Sequence, residues 1–466
     1  MVVGVLWKIV QGSGAFSAKG GIKMKDQQAK SGQQGVNRRQ FLRGIAQAGT
    51  AAVVMPALVP GSALGLNGAV APSNRIVMAG IGLGGRGTGD LRSWILPDPQ
   101  AQFVAICDVR RERRDAIKAM TDKQYGNSDC KTYIEMMDVL ARSDIDAILT
   151  ATSDRLHATI SIRAMRAGKD VYTEKPASMT IAEGQAVVRT AREYGRVYQA
   201  GMQRLSEANF IVCNELLRLG RLGEVKTVYA HLAPWGNVNM SREWLPEQPL
   251  PDPQELDWDR WLGPCPWRPF NIAYTRGGWH HQHDFYTSVI GEWGSHTFAQ
   301  CHDAIGMQDS SPIRYPYVPT PTADGMAMPF ANGVTMIQKQ EGWRGTCGVR
   351  YVGSEGWCSC ADGYARPEVS NPAMLADYNK ILQDYLTRTG HVVGHMKDFF
   401  ACVKSRSVTV ANPTLMHRSM STVHCANIAQ WLKRDLTWDP VKEKFVNDEQ
   451  ANRFRSRAAR EGWQIC

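Results

Sequence analysis

The 466-residue chain has no uninterrupted apolar run fit to span a bilayer, since its best candidate, Gly44 to Gly65, is mildly hydrophobic and broken by glycine and proline. It lacks a paired-cysteine signature as well. Eleven cysteines are scattered and only Cys358 and Cys360 lie close, which speaks against a zinc ribbon and leaves no obvious disulfide framework. No internal repeat or low-complexity block stands out beyond the first residues, and no isolated carboxylate pair suggests two-acid hydrolysis. Basic charge is scarce where a nucleic-acid surface would need it. Of the net charge of +10, residues 1–66 carry most, with eight Lys and Arg against Asp26 alone, so no nucleic-acid partner is expected.

That basic segment holds Lys8, Lys19, Lys23, Lys25, Lys30, Arg38, Arg39 and Arg43. Arg38 and Arg39, followed by Gln40, Phe41 and Leu42 and then by the mild apolar stretch, resemble the twin-arginine signal that sends folded proteins out of the bacterial cytoplasm. The expectation is a leader over residues 1–66, with Met24 an alternative start and cleavage near Ala63. It implies the twin-arginine export machinery as a partner and a periplasmic or otherwise exported location. A chain folded before export has no need of disulfides, so the cysteines are expected to be mostly free and buried.

From Arg75 onward apolar runs alternate with helical patterns. Strands are predicted at 75–81, 101–108, 144–152, 169–176 and 196–203, with helices between them, which is the pattern of a parallel sheet covered on both faces. Six glycines fall between Gly80 and Gly89, readable as Gly80-x-Gly82-x-x-Gly85 or as Gly82-x-Gly84-x-x-Gly87. The second register leaves a longer strand ahead of the turn. Such a loop gives a tight turn, bare backbone for a pyrophosphate and a helix N-terminus for its charge. Asp108 ends the next strand about 20 residues on, the spacing of a ribose-binding acid. The segment Gly82, Leu83, Gly84, Gly85, Arg86 and Gly87, with Asp108, therefore reads as a dinucleotide site. Asp108 favours NAD by repelling a 2′-phosphate, and Arg110 and Arg111 keep NADP open.

The motifs "GLGGRG", "ICDV", "ATSDRLHA", "YTEKPASMTIAEG" and "GMQR" together resemble the glucose-fructose oxidoreductase, inositol dehydrogenase and MocA family. The blocks "LDWDRWLGPCPWRPFN", "GSEGW" and "WDPVKEKFVNDEQAN" look like its exported members. The resemblance implies an α/β nucleotide-binding domain, here residues 67–205, then an α+β domain over 206–466 with a large open, mostly antiparallel sheet that faces the substrate and often joins subunits of a homo-oligomer. It implies that Lys175, between Glu174 and Pro176, stands at the nicotinamide end with a cis peptide before the proline, and that Thr152 and His157 lie beside the cofactor. A purely structural His157 is the alternative.

The family's acid and histidine four residues apart match Glu292 and His296, although the usual acid is Asp and a further frequent Asp is replaced by Ala299. On a helix these positions share a face, so Glu292 is expected to orient His296 as a base. The cluster His280, His281, His283 and Asp284 matches no zinc spacing, and no metal is expected. Tyr274, Arg276 and Trp279 suggest a face for a sugar ring, and Gln203 and Arg204 sit at the mouth of the sheet, where ligands bind. The expected activity is NAD(P)-dependent oxidation of a sugar, glycoside or cyclitol hydroxyl, redox-neutral because an exported enzyme carries its cofactor with it. The alternatives are an NAD-dependent glycosidase working by transient oxidation and elimination, and a non-catalytic nucleotide- or sugar-binding protein.

Overall fold

The computed structural model describes residues 71–232, 240–319, 325–339 and 344–465. The expected leader over residues 1–66, with Arg38 and Arg39, lies outside the described residues. The first sheet contains β1 (Ile76–Leu83), β2 (Ala101–Cys107), β3 (Lys131–Tyr133), β4 (Ala147–Ala151), β5 (Asp170–Thr173) and β6 (Tyr198–Ala200), all parallel, in the order β3-β2-β1-β4-β5-β6. Its central strands are almost wholly apolar because helices cover both faces. The order reverses between β1 and β4, so the crevice beyond their carboxyl ends is the natural place for a ligand. Every strand predicted for this half is present; β3, too short and polar for a periodic signal, was not predicted.

The second sheet is built from β7 (Val225–His231), β9 (Met326–Pro329), β10 (Thr335–Lys339), β11 (Val349–Gly353), β12 (Gly356–Cys360) and β13 (Glu368–Val369), in the order β13-β12-β11-β7-β10-β9. Only β7 and β10 pair in parallel, so the sheet is open and largely antiparallel, as the resemblance implied. A small third sheet joins β8 (Arg314–Tyr315), β14 (Leu436–Asp439) and β15 (Lys444–Phe445).

The nucleotide-binding half is not closed by its own stretch of chain. Helix His395–Ser405 lays Met396, Phe399 and Phe400 into the same core as Met78, Phe103 and Tyr172, and Phe399 meets Tyr172 edge-to-face at 5.9 Å. Helix Pro413–Leu432 packs between helices Ile181–Glu193 and Val289–Ala304. Close approach there depends on Gly184, where an added Cβ would stand 2.5 Å from His417 Nδ1. The ten described cysteines are all buried with free thiols. Among the described residues no helix is long and apolar enough to cross a membrane.

Burial keeps several of the described histidines uncharged. Burial is the first cause holding His157, His296, His302, His395 and His424 below the ordinary value of 6.5, with His302 and His395 brought to about 4 and His424 to about 3. Above pH 6.5 the folded and unfolded chains bind the same protons at these sites. Below it the unfolded chain protonates first, so stability is lost as pH falls from 6.5 toward 4, by up to about 1.4 kcal/mol per pH unit for each histidine. Thermal unfolding followed by circular dichroism should show a flat midpoint down to pH 6.5 and a steep fall beneath it. His424→Gln should shallow that fall by about one histidine's share.

Candidate active site

At the carboxyl end of β1 the chain turns sharply at Gly82, whose φ of +66° puts it in the left-handed region and whose Cβ, if present, would lie 2.1 Å from Thr152 Cγ2. Gly84 caps the following short helix, Gly85–Asp90, and Gly87 lets that helix rest on β4, since a Cβ there would come within 2.7 Å of Ala151. These contacts open a cavity of about 1030 Å³, lined on the sheet side by Gly82, Gly84, Gly85, Arg86, Asp108 and Thr152. Leu83 and Gly87 do not line it and serve the packing beneath. Asp108 accepts the Arg110 amide at 2.9 Å, and burial pushes its carboxyl above the usual range. Arg110 and Arg111 are spent elsewhere: Arg110 donates to the Thr275 carbonyl at 2.8 Å and pairs with Glu112, and Arg111 pairs with Glu255 at 3.1 Å.

Glu174 organises a second cluster, which shares Arg86 with the cavity but whose Lys175, Glu292 and His296 do not line it. Its buried carboxylate accepts from Gln203 Nε2 at 2.6 Å, from Arg86 Nε at 3.3 Å and from the Lys175 amide at 3.2 Å. Asp90 pairs with the same Arg86 at 3.0 Å, and burial, then the neighbouring Glu174, raises its pKa well above the carboxylate range, so that it stays protonated at neutral pH. The Lys175–Pro176 bond is cis, and the Pro176 carbonyl meets His157 Nδ1 at 2.7 Å. His157 is fully buried and does not reach the cavity, so in this structure it braces the turn that carries Lys175.

Lys175 Nζ stands 4.0 Å from Glu292 Oε1 and 5.4 Å from the centre of the Trp293 ring. Glu292 takes its other hydrogen bond from the Tyr286 hydroxyl. The expected bond from Glu292 to His296 is therefore not formed: both residues lie on helix Val289–Ala304, but Tyr286 and Lys175 draw the carboxylate away. His296 is 3% exposed, its Nδ1 has no hydrogen-bond partner, and burial, followed by the nearby charges of Arg204 and Lys175, holds its pKa far below 6.5. It is a neutral imidazole. The helix enters through Ser288, whose φ of 116° is costly for a residue with a side chain. Ser288 is held there by Asn427 at 2.8 Å, and Asn427 also donates to the Thr287 carbonyl at 2.9 Å.

Several residues expected at a sugar are placed differently. Gln203 is buried on Glu174 and on Tyr172 at 3.1 Å, so its amide is not free for a ligand. Arg204 makes a two-pronged pair with Asp362 at 2.7 and 2.8 Å. Tyr274 is fully buried among Trp258 and Phe285, and its hydroxyl accepts the Leu245 amide at 2.6 Å, so it is core rather than pocket. Arg276 and Trp279 do line the cavity, but as part of its roof opposite the glycine loop. In the histidine cluster, His280 Nδ1 meets the Gly277 carbonyl at 2.8 Å, His283 pairs with Asp284, and Asp284 also pairs with the buried Arg268. Asp90, Tyr286 and Asp362 were missed: Asp362 meets Arg204 from 158 residues away, while Asp90 and Tyr286 meet nearby partners, Arg86 and Glu292, through contacts that no motif marks.

The glycine cradle, the cavity and Asp108 fit a dinucleotide. Gly82→Ala should abolish nucleotide binding, because the methyl group meets both an unfavourable φ and Thr152, at a cost above about 1 kcal/mol. Titration with NADH, read by its fluorescence, checks this against the parent chain.

Comparison with known proteins agrees. Residues 75–202 match the profile described as oxidoreductase family, NAD-binding Rossmann fold, and residues 224–342 and 372–465 match that of the family's C-terminal alpha/beta domain. An inositol 2-dehydrogenase of Salmonella typhimurium is 26% identical over 150 residues, 32% of this chain and 43% of the relative. A glycosyl hydrolase family 109 protein of Bacteroides thetaiotaomicron is 33% identical over 129 residues, 27% of each chain. These alignments span less than half of either curated relative. Among solved structures, the WlbA dehydrogenase of Chromobacterium violaceum with NADH and UDP-GlcNAcA superposes with a TM-score of 0.55 at 16% identity, over 78% of this chain and 96% of that one. The myo-inositol 2-dehydrogenase of Lactobacillus plantarum gives 0.53 at 14%, over 78% and 99%. With its Rossmann half, its open second sheet and an NAD(P) cleft between Gly82 and Asp108, the chain belongs to the glucose-fructose oxidoreductase, inositol dehydrogenase and MocA family of NAD(P)-dependent oxidoreductases.

Proposed function

We propose that the chain oxidises a hydroxyl of a sugar, glycoside or cyclitol, holds its cofactor tightly and closes a redox-neutral cycle after export through the twin-arginine machinery. The observation that carries the reading is the pairing of Lys175 with Glu292 one helical turn before a buried, neutral His296. Bound NAD(P) supplies the hydride acceptor. His296 accepts the hydroxyl proton, which its uncharged state allows, and the Lys175 ammonium stabilises the oxygen anion that develops. Glu292, fixed by Tyr286, holds the Lys175 side chain in place. Gly82, Gly84, Gly85, Arg86, Asp108 and Thr152 would hold the dinucleotide. Asp108 at the ribose end, with Arg110 and Arg111 otherwise engaged, favours NAD over NADP. Arg276 and Trp279, which line the cavity, would cover the bound cofactor. A homo-oligomer joined through the second sheet completes the proposal.

A glycosidase that oxidises, eliminates, hydrates and reduces would use the same groups, and the 33% identity to the glycosyl hydrolase family 109 protein favours it as the second reading. Net hydrolysis of an aryl glycoside without release of NADH selects that reading; accumulation of a keto sugar selects the first. Lys175→Ala should lower turnover by at least about 100-fold while leaving nucleotide binding intact. Full activity in that variant, on whichever sugar or glycoside of a panel the parent chain turns over, removes the mechanism.

A further inference from the structure

The roof of the nucleotide cleft is a separate strap of chain, Gln254 to His280, which reaches the Rossmann half from the second domain. It is fastened at both margins of the cleft. Beside Asp108, the Arg111 amide donates to the Glu255 carbonyl at 2.9 Å, the Asp257 amide to the Val109 carbonyl at 3.1 Å and Arg114 to the Gln254 carbonyl at 2.9 Å. On the opposite margin, beyond β4, Arg460 of the C-terminal segment holds Asp259 and Gly263, and from the Rossmann half the fastening side chain is Arg155. Arg155 donates through Nε to the Leu262 carbonyl at 3.2 Å and through Nη2 to the Trp261 carbonyl, while its guanidinium lies 3.9 Å from the centre of the Trp261 ring and 4.7 Å from that of Phe285.

Arg155 is 2% exposed and lines the cavity, yet its hydrogen-bond partners are all neutral: two carbonyls and the Ser153 hydroxyl. The neighbouring Asp154 is occupied with the Thr287 amide at 2.8 Å. A desolvated cation without a carboxylate is expensive, and ring faces offset only part of the cost. The cavity it borders is also lined by the glycine loop at Gly82, Gly84 and Gly85. A dinucleotide carries the missing negative charge to the place where the strap is pinned, so filling the cleft and closing the strap stabilise each other.

We propose that Arg155 is a positioning residue that latches the strap Gln254–His280 over the bound dinucleotide, so that the cofactor leaves only when the strap lifts. The inference rests on the tightly held cofactor of the proposed function and gives it a physical device. It also makes the latch independent of the chemistry at Lys175 and His296.

The test uses the full chain loaded with NADH and diluted into excess NAD+, with release followed by NADH fluorescence. Arg155→Met keeps the stem and removes the guanidinium; it should release NADH at least about tenfold faster. Arg155→Lys should recover part of the loss, because a cation returns without the two-carbonyl fork. The rise in melting temperature on adding NADH should shrink in Arg155→Met. A merely structural arginine would lower the melting temperature of empty and loaded chains alike and leave that rise unchanged, and that result overturns the latch. Hydrogen exchange of the parent chain gives a readout that needs no variant: amides of 255–262 should exchange slowly and slow further with NADH, and fast exchange in both states also overturns it. A parent chain that binds neither NADH nor NADPH overturns the cofactor assignment and the latch together. One that binds NADH and releases it at the rate of Arg155→Met overturns the latch alone.

Discussion

A single buried carboxylate holds the two ends of the site in register. Glu174 receives Arg86 from the helix after the glycine loop, Gln203 from beyond β6 and the backbone of Lys175 beside it. The packing around it leaves no slack, for a Cβ on Gly201 would come within 2.6 Å of its oxygens. A buried charge is tolerable only when it is fully paired. Glu174 satisfies that demand by recruiting the helix after the glycine loop and the strand end that carries Lys175. Asp90, neutral beside it, avoids a second buried negative charge on the same arginine.

Local chemistry made the nucleotide half readable. A parallel strand buried on both faces must be apolar, a phosphate loop must be bare, and a cis peptide needs proline, so β1, Gly82 and Lys175-Pro176 each leave a mark in a few adjacent residues. The parallel first sheet followed from the same marks, whereas the open second sheet and the cis geometry were implied by the family resemblance. The Glu292 pairing was not readable, because spacing on a helix gives proximity but not the choice of partner. That choice belongs to Tyr286, six residues earlier across a turn held by Asn427 and Asp154, which are far from it in sequence. The extra methylene of Glu over the family's usual Asp carries the carboxylate to that competing partner.

Tyr274, Arg276 and Trp279 show the same limit from another side. Their composition suits a sugar platform and a core equally well. What separates them is how the strap that carries all three crosses the cleft: Tyr274 turns inward among tryptophans, and Arg276 and Trp279 line the cavity. Contacts such as Arg110 to Thr275 or Arg155 to Leu262 have no sequence shadow at either end.

Helix His395–Ser405 gives the molecule a direction in time. The core around Tyr172 is finished by Met396, Phe399 and Phe400, residues made long after the strands they cover. On the ribosome the phosphate loop, Glu174 and Lys175 emerge early and wait with one face of their sheet unsealed. The nucleotide half is completed only near the end of synthesis, so a chain cut short there carries every residue of its phosphate loop and still lacks the floor on which that loop stands.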